Sequence, residues 1–466
     1  MRGYRSFAVV IIASLFLSCP DDPPDFSGVT LDFTATVPQA GSRLIDPDFA
    51  GVCHSGYSGN LEREYEMLDE MGVVWLHRDF SWSRIQRYGK DDWGFEREGF
   101  DSYVQTANAK GKKIIGMLLY DTAWVHELTG NPNVTRIWPD EIPYFCDYAV
   151  ETVKRYNGKP DSYGKVDAWF IWNEPNLAPR FWTDDPDAKT DFFALTRATA
   201  DAIRELDAAE GTATTLVGGV FSILASDEWV NGLFESGAMD KVDGIGYHPY
   251  GANHLATEAL VNSFKRKIEP YGFADKIWAN EVGYPTYLEK EVMPEGRPGN
   301  DQWEGIMPEI TAKTIVLLAT AGAKNFAYYH LFDSKAERDE NNASDWHGLI
   351  WQKSDDEWVR KGGYWAYALC AKHLPGKTYQ KMNFPASVPE DIHSYYFAGS
   401  DGSRTLIVWN SHPLAAQDLR ITLRGSNHQL WNLETGKPVN VGKTSTHTLD
   451  AGSGYGHTMI FLTWKE

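Results

Sequence analysis

Cysteine is scarce in this sequence, and its spacing excludes two common uses of the residue. Only four of the 466 residues are cysteines, at positions 19, 53, 146 and 370. No two of them form a C-x-x-C pair, the pattern typical of zinc and redox sites. We therefore expect buried or half-buried free thiols, with no more than one disulfide.

Basic residues are also in short supply. The chain has 44 Lys and Arg against 64 Asp and Glu, which gives a formal net charge of −20. Because broad phosphate binding needs clustered Lys and Arg, this balance argues against nucleic acid as a partner. A hydrophobic content of 42% excludes disorder as the main state. Aromatic rings are abundant, at 14% of the chain, and suit stacking on neutral, hydroxyl-rich ligands as well as core packing.

Long hydrophobic runs are missing, apart from a short one near the N-terminus. Phe7 to Leu17 follows two arginines and is shorter than the about 20 residues that span a bilayer. This layout is typical of a secretory signal over residues 1–19. Cys19 follows a small residue and resembles the lipobox cysteine of bacterial lipoproteins, although Phe16 stands where leucine is expected.

The N-terminal pattern predicts an exported protein. A lipid on Cys19 would anchor it at the bacterial cell envelope or surface, and we expect no other contact with a membrane. Ordinary cleavage near Ser18 is the alternative and would leave a secreted or periplasmic protein. Residues 20–43 read as a flexible linker, since they begin with a Pro- and Asp-rich stretch.

Short apolar runs alternate with longer amphipathic stretches over residues 44–376. Buried parallel strands read as such continuous apolar runs, so eight βα units predict an α/β fold, a (β/α)8 TIM barrel. The predicted strands are Phe49–Cys53, Val73–Leu76, Lys113–Tyr120, Ala168–Trp172, Thr215–Gly219, Val242–Tyr247, Lys276–Ala279 and Asn325–Tyr329.

The pattern changes near residue 377, where helical periodicity disappears. Short strand-like runs separated by Gly, Asn and Ser predict a small antiparallel β-sandwich domain over residues 377–466. These runs are Ser394–Phe397, Thr405–Trp409, Asp418–Leu423, Gln429–Leu433 and His457–Thr463.

Two glutamates end predicted barrel strands. The active site of such a barrel lies at the C-terminal ends of its strands, so Glu174 on strand 4 and Glu281 on strand 7 should face each other. Two facing carboxyls among aromatic rings are the apparatus for glycoside cleavage. A salt bridge or a cap is the alternative for either glutamate alone, but each is preceded by Asn at a strand end, which favours catalysis.

The motifs at these strand ends resemble the retaining glycoside hydrolases of clan A, the 4/7 superfamily. The resemblance covers roughly residues 45–375. With the C-terminal sandwich, the chain looks most like glycoside hydrolase family 39, including its branch acting on biofilm exopolysaccharide, and family 5 is close behind. The motifs are Leu76–Ile85 (LHRDFSWSRI), Trp172–Asn176 (WNEPN), Gly246–Tyr250 (GYHPY) and Trp278–Thr286 (WANEVGYPT).

The resemblance implies a role for each matching residue. Glu174 would be the general acid/base, Glu281 the nucleophile, and Asn173 the partner of the 2-hydroxyl of the sugar at subsite −1. Arg78 and Tyr250 would hydrogen-bond Glu281 and keep it ionised.

His248 would line subsite −1. A structural histidine is the alternative for it, and a salt bridge in the barrel floor is the alternative for Arg78. The aromatic floor of the subsite is harder to assign, because clan A enzymes often use a tryptophan on strand 8. Here that strand ends in Tyr328-Tyr329-His330, so we expect His330 or Trp351 to serve. Asp121 and Trp124, at the end of strand 3, complete the predicted substrate-binding residues.

No cofactor or metal is expected, because two carboxylates and water suffice for a double displacement. The acidic run at 333–345 lacks the spacing of a calcium loop. The predicted function is therefore an exported retaining β-glycosidase, a monomer acting on a poly- or oligosaccharide. One alternative is a catalytically silent carbohydrate-binding surface lipoprotein, and another is a metal-dependent barrel hydrolase. The sugar, the linkage and endo or exo action stay open.

Overall fold

The structure is a computed structural model. It describes residues 28–34, 42–54, 56, 59–185, 187–223, 225–251, 253–287, 300–333, 343–412, 416–450 and 459–466. The predicted signal with Cys19 lies outside the described residues, as do most of the acidic run and most of the segment after strand 7.

Twenty strands and ten α-helices are described. The strands, β1 to β20, are Val29–Asp32, Arg43–Leu44, Ala50–Cys53, Trp75–Ser81, Lys113–Leu119, Ala168–Ile171, Thr215–Ser222, Gly244–His248, Ile277–Val282, Phe326–Tyr328, Ile350–Gln352, Trp358–Arg360, Thr378–Gln380, Ile392–Ala398, Ser403–Asn410, Gln417–Thr422, Ser426–Trp431, Pro438–Asn440, Thr444–Leu449 and Met459–Lys465. The helices, α1 to α10, are Leu61–Met71, Trp82–Ile85, Phe100–Ala109, Ala123–Thr129, Ile142–Arg155, Ala188–Glu210, Asp227–Glu235, His254–Ile268, Asn300–Ala321 and Gly363–His373.

Strands β3 to β10 form a closed parallel barrel, with β10 pairing back onto β3. All eight predicted strands overlap these eight, so the (β/α)8 prediction is confirmed. Two apolar layers result from the alternation of side chains along the strands. Trp75, Met117 and Phe170 belong to a cluster that fills the barrel interior, whereas Leu76 and Leu118 belong to the core that packs against the helices.

The C-terminal region is a two-sheet sandwich, as predicted. A seven-stranded sheet runs in the order β18-β17-β20-β15-β14-β13-β2 and a three-stranded sheet in the order β1-β16-β19. Their facing sides enclose a second core, which includes Leu31, Leu406, Leu419, Ile421 and Leu462.

The prediction of a flexible linker over 20–43 is wrong for Val29–Asp32. This segment is strand β1, which pairs in parallel with β16, with Leu31 opposite Ile421. Leu31 is fully buried, so burial of apolar side chains holds the segment in the sandwich. The sandwich is antiparallel except at this pair.

The cysteine prediction is confirmed for the three cysteines that the structure describes. Cys53 and Cys370 are buried, Cys146 is half-buried, and all three are free thiols. Within the described part of the chain, no helix has both the length and the apolar character needed to span a bilayer.

Candidate active site

The two predicted glutamates lie close together at the C-terminal ends of barrel strands. Glu174 follows β6, Glu281 lies near the end of β9, and His248 ends β8 between them. The His248 Nδ1 atom is 2.9 Å from Glu174 Oε1 and 3.9 Å from Glu281 Oε2. These two glutamate oxygens are therefore at most 6.8 Å apart, the sum of the two distances. The two carboxyl groups are about 5–5.5 Å apart in retaining glycosidases and about 6.5–9.5 Å apart in inverting ones, so this limit on one pair of oxygens is compatible with the retaining arrangement.

Tyr250 supports Glu281 directly. Its hydroxyl donates a hydrogen bond of 2.7 Å to Glu281 Oε1, the contact that the sequence predicted. A hydrogen bond to the ionised carboxylate stabilises that form and fixes its direction.

Charge and burial set the protonation of this group of side chains. Burial and the nearby Glu174 carboxylate raise the pKa of Glu281 to about 6, although His248 and Tyr250 oppose the rise. Burial disfavours the imidazolium of His248, yet the Glu281 and Glu174 carboxylates outweigh it and raise the pKa of that histidine. Below it, burial lowers the pKa of His77 to about 3, so His77 is neutral.

The backbone turns sharply just after strands β5 and β6. Tyr120, Trp172 and Glu174 have φ angles of 65°, 66° and 43°, which is the left-handed region. Such conformations cost roughly 1–3 kcal/mol each and persist where the surroundings enforce them. The Glu174 N–H donates to the Val220 carbonyl at 2.9 Å, and the Trp172 ring packs edge-on against Trp182 at 4.8 Å. The carboxyl of Glu174 is therefore carried by a fixed turn.

Asn173 lies beside Glu174 and is buried, with 8% of its surface exposed. Its side chain is a hydrogen-bonding neighbour of the Tyr120 hydroxyl. The predicted partner of a sugar hydroxyl thus stands next to the predicted acid.

Arg78 lies on the side of β4 that faces helix α3. Its guanidinium carbon is 5.0 Å from the centre of the Tyr103 ring on α3, between the barrel and its helices. Among the described contacts, none joins Arg78 to Glu281. The reason is alternation: Arg78 is paired in register with Gly116, and Leu76 and Phe80 on the same face belong to the outer core. The prediction that Arg78 hydrogen-bonds Glu281 stays a prediction.

Four other predicted residues are less central than expected. Asp121 Oδ2 is 3.2 Å from His126 Nε2. Trp124 packs edge-on against Trp82 at 5.8 Å, and its indole N–H donates to a backbone carbonyl. Trp351 lies on the β11–β12 ribbon, with the Lys353 ammonium over its ring. His330 is buried beside the Tyr329 ring, at 4.6 Å.

Tyr329 is the aromatic side chain that the sequence analysis passed over. It directly follows β10, is half-buried, and its ring centre is 6.5 Å from that of Tyr250. The position is that of a ring at the end of strand 8, where the resemblance led us to expect an aromatic floor. Because clan A enzymes often have a tryptophan there, Tyr329 was not predicted for this role.

One group of described side chains has ligand atoms close enough for a metal ion. Cys53, His77 and Glu281 bring a sulfur, a nitrogen and an oxygen within 4.8 Å of one another. His77 Nδ1, however, lies 2.8 Å from the Asn280 carbonyl. A neutral imidazole that donates from this nitrogen has no lone pair there for a metal. The expectation that no metal is needed stays a prediction.

Comparisons with known proteins extend this description. No protein-family model matches the sequence, and no curated protein matches it. Solved structures do match in fold. A family 39 glycoside hydrolase from the gut symbiont Bacteroides cellulosilyticus superposes with a TM-score of 0.67 at 16% identity, over 91% of this chain and 82% of the other.

Two further structures are similar over nearly their whole length. The catalytic domain of a family 30 xylanase from Talaromyces cellulolyticus gives a TM-score of 0.61 at 14% identity, over 94% of this chain and 100% of the other. A family 51 α-L-arabinofuranosidase from Bifidobacterium longum gives 0.61 at 14% identity, over 95% and 99%.

These matches define the class of fold: a (β/α)8 barrel with a β-sandwich, shared with glycoside hydrolases of families 39, 30 and 51. The particular family that the sequence motifs favoured, family 39, is among these structural neighbours. At such low identity the likeness concerns the fold, so the chemistry has to be argued from this chain's own residues.

Proposed function

We propose that this protein is an exported retaining β-glycosidase that hydrolyses a poly- or oligosaccharide by double displacement. The observation that supports it most is the pair of carboxyls on either side of His248. Glu174 Oε1 and Glu281 Oε2 are at most 6.8 Å apart. Two of its structural neighbours are a xylanase and an α-L-arabinofuranosidase, which are glycoside hydrolases.

In the first step, the Glu281 carboxylate attacks C1 of the sugar while the protonated Glu174 gives its proton to the departing oxygen. The C1–O bond to the leaving group breaks, and a glycosyl ester forms on Glu281. Tyr250 keeps Glu281 aimed at C1 by its hydrogen bond. Asn173 would accept or donate to the 2-hydroxyl as charge develops at C1.

In the second step, Glu174 is the base. It takes a proton from water, the resulting hydroxide bonds to C1, and the ester bond to Glu281 breaks. The sugar leaves with its original configuration, and Glu174 is again protonated. His248, hydrogen-bonded to Glu174, would hold this carboxyl in place through both steps.

The ring of Tyr329 would form the floor of subsite −1. It lies beside Tyr250, and a half-buried ring offers an apolar face for the C–H face of a sugar. Trp351 and His330 are less favoured for this role, because the Lys353 ammonium covers the Trp351 ring and His330 is buried.

Glu174 and Glu281 can be separated by substrate choice. The wild type would be incubated with β-glucans, xylan, mannan, galactan and bacterial exopolysaccharide, and with aryl β-glycosides whose phenol leaves without protonation. We expect Glu281→Gln to lose activity on all substrates. Glu174→Gln should lose about 10²–10⁴-fold on the polymer but keep formation of the glycosyl enzyme from the aryl glycoside.

Asp161→Asn is the matched control, since Asp161 is exposed on the loop before β6, at the opposite end of the barrel. A released sugar of inverted configuration would contradict the double displacement. If the wild type binds a polymer without cleaving it and Glu281→Gln binds it equally, the protein is the silent binder.

A further inference from the structure

Asp79 is a third carboxylate among the residues of the active site. It lies on β4, two residues after His77, and strand side chains alternate between two faces. Its register partner on β5 is Met117. Trp75, four residues earlier on the same face of β4, pairs with Lys113. Both Met117 and Trp75 belong to the cluster that fills the barrel. The Asp79 side chain therefore projects to the inside of the barrel, above His77.

The Asp79 charge acts on side chains that surround Glu281. Burial raises the pKa of Tyr120, and the Asp79 and Glu281 charges add to the rise. Glu281 and Tyr329 are also influenced by Asp79, and His248 in turn acts on Asp79. These four side chains lie on β8 and β9 or directly after β5 and β10, and the alternation along β4 places Asp79 among them.

The carboxylate is accessible. Asp79 is exposed, although it lies on a strand of the closed barrel, so it faces the open mouth. Among the described contacts, no hydrogen bond or ion pair engages it. The cations that act on it have other contacts: Arg84 Nε is 3.1 Å from Glu98, Arg78 lies over the Tyr103 ring, and His248 Nδ1 is 2.9 Å from Glu174 Oε1.

We propose that Asp79 is a substrate-binding residue, whose carboxylate accepts hydrogen bonds from two neighbouring hydroxyls of the sugar beside the scissile bond. This inference rests on the proposed function and names its substrate class. A carboxylate is acceptor-only and has two oxygens, so it matches a pair of hydroxyl donors. The same charge repels a carboxylate on the sugar. The site would therefore select neutral sugars with free hydroxyls over uronic acids.

Binding to a protein that cannot turn over tests this selection. In the Glu281→Gln protein, affinities would be measured calorimetrically for matched pairs of oligosaccharides that differ only at C6: gluco- and glucurono-, manno- and mannurono-, galacto- and galacturono-oligosaccharides. We expect the neutral member of the bound pair to bind at least 10-fold more tightly. Adding Asp79→Asn should weaken the neutral ligand 10- to 100-fold and reduce the preference for it over the uronate.

The control is Asp161→Asn in the same background, which should change neither value. An unchanged affinity and an unchanged preference in Asp79→Asn would overturn the inference, as would tighter binding of uronates by the parent. Cleavage by the wild-type protein is measured separately. If the wild type cleaves a glycan but Asp79→Asn leaves affinity and preference unchanged, only the role of Asp79 is refuted. A parent that binds no oligosaccharide refutes both this role and the proposed function.

Discussion

At the scale of single residues, the site is a set of opposed electrostatic influences on Glu281. Burial and the carboxylates of Glu174 and Asp79 raise its pKa, while the His248 cation and the Tyr250 hydroxyl lower it. The pKa of Glu281 lies at about 6, so this carboxyl is mainly ionised at neutral pH.

We expect kcat/KM to fall as the pH drops below about 6, because protonation of Glu281 removes the nucleophile. Tyr250→Phe removes a donor to the ionised form, so the acidic limb should move to higher pH. Activity should fall about 10- to 100-fold, since a hydrogen bond to a charged group contributes about 1.5–3 kcal/mol. Asp79→Asn removes a negative charge and should move the limb to lower pH. Shifts in the same direction in pH–rate profiles of the two variants would contradict this account.

The proximity of Glu174 and Glu281 could be predicted from sequence, whereas the positions of Asp79 and Tyr329 were missed. Glu174 and Glu281 end strands whose apolar runs mark them clearly. The second predicted strand, in contrast, was taken to end at Leu76, but β4 continues to Ser81 through polar residues. Counting alternate positions along the full strand would have placed Asp79 inside the barrel and Arg78 outside it.

At the scale of elements, the predictions succeeded where one physical signal dominated. Strands buried on both faces have to be apolar throughout, so all eight barrel strands could be found. The missed strands are short or exposed: β18 is exposed at all three residues and β2 has only two. Strand β1 alternates buried and exposed positions, but over four residues only, in a stretch dominated by Pro and Asp.

Strand β1 should contribute measurably to stability. Leu31→Ala removes a fully buried side chain from the sandwich core and should lower the free energy of unfolding by about 2–5 kcal/mol. Thr30→Ala, on the exposed face of the same strand, is the matched control and should change it by less than about 0.5 kcal/mol. Urea denaturation of both variants measures the difference. Equal values would show that β1 is not held in the sandwich.

At the scale of the whole molecule, the predicted signal over residues 1–19 bears on where the proposed enzyme works. We propose that Cys19 carries a lipid, on the basis of the apolar run that precedes it. A Cys19→Ala protein expressed from its own leader should move from the detergent phase to the aqueous phase in a partition experiment. Its activity on a soluble substrate should match that of the anchored form. Equal partition of the two proteins would refute the anchor.

The place of β1 in the sandwich has a consequence for such an anchored protein. Nine residues, 20–28, lie between Cys19 and Val29, so the chain takes ten residue steps from one to the other. At about 3.3–3.6 Å per residue, even a fully stretched chain spans only about 35 Å. The lipid would thus be connected to the sandwich and not to the barrel, so the sandwich would lie next to the bilayer. The proposed catalytic centre would stay close to the membrane. It could act only on glycans that are attached to, or captured at, the cell surface.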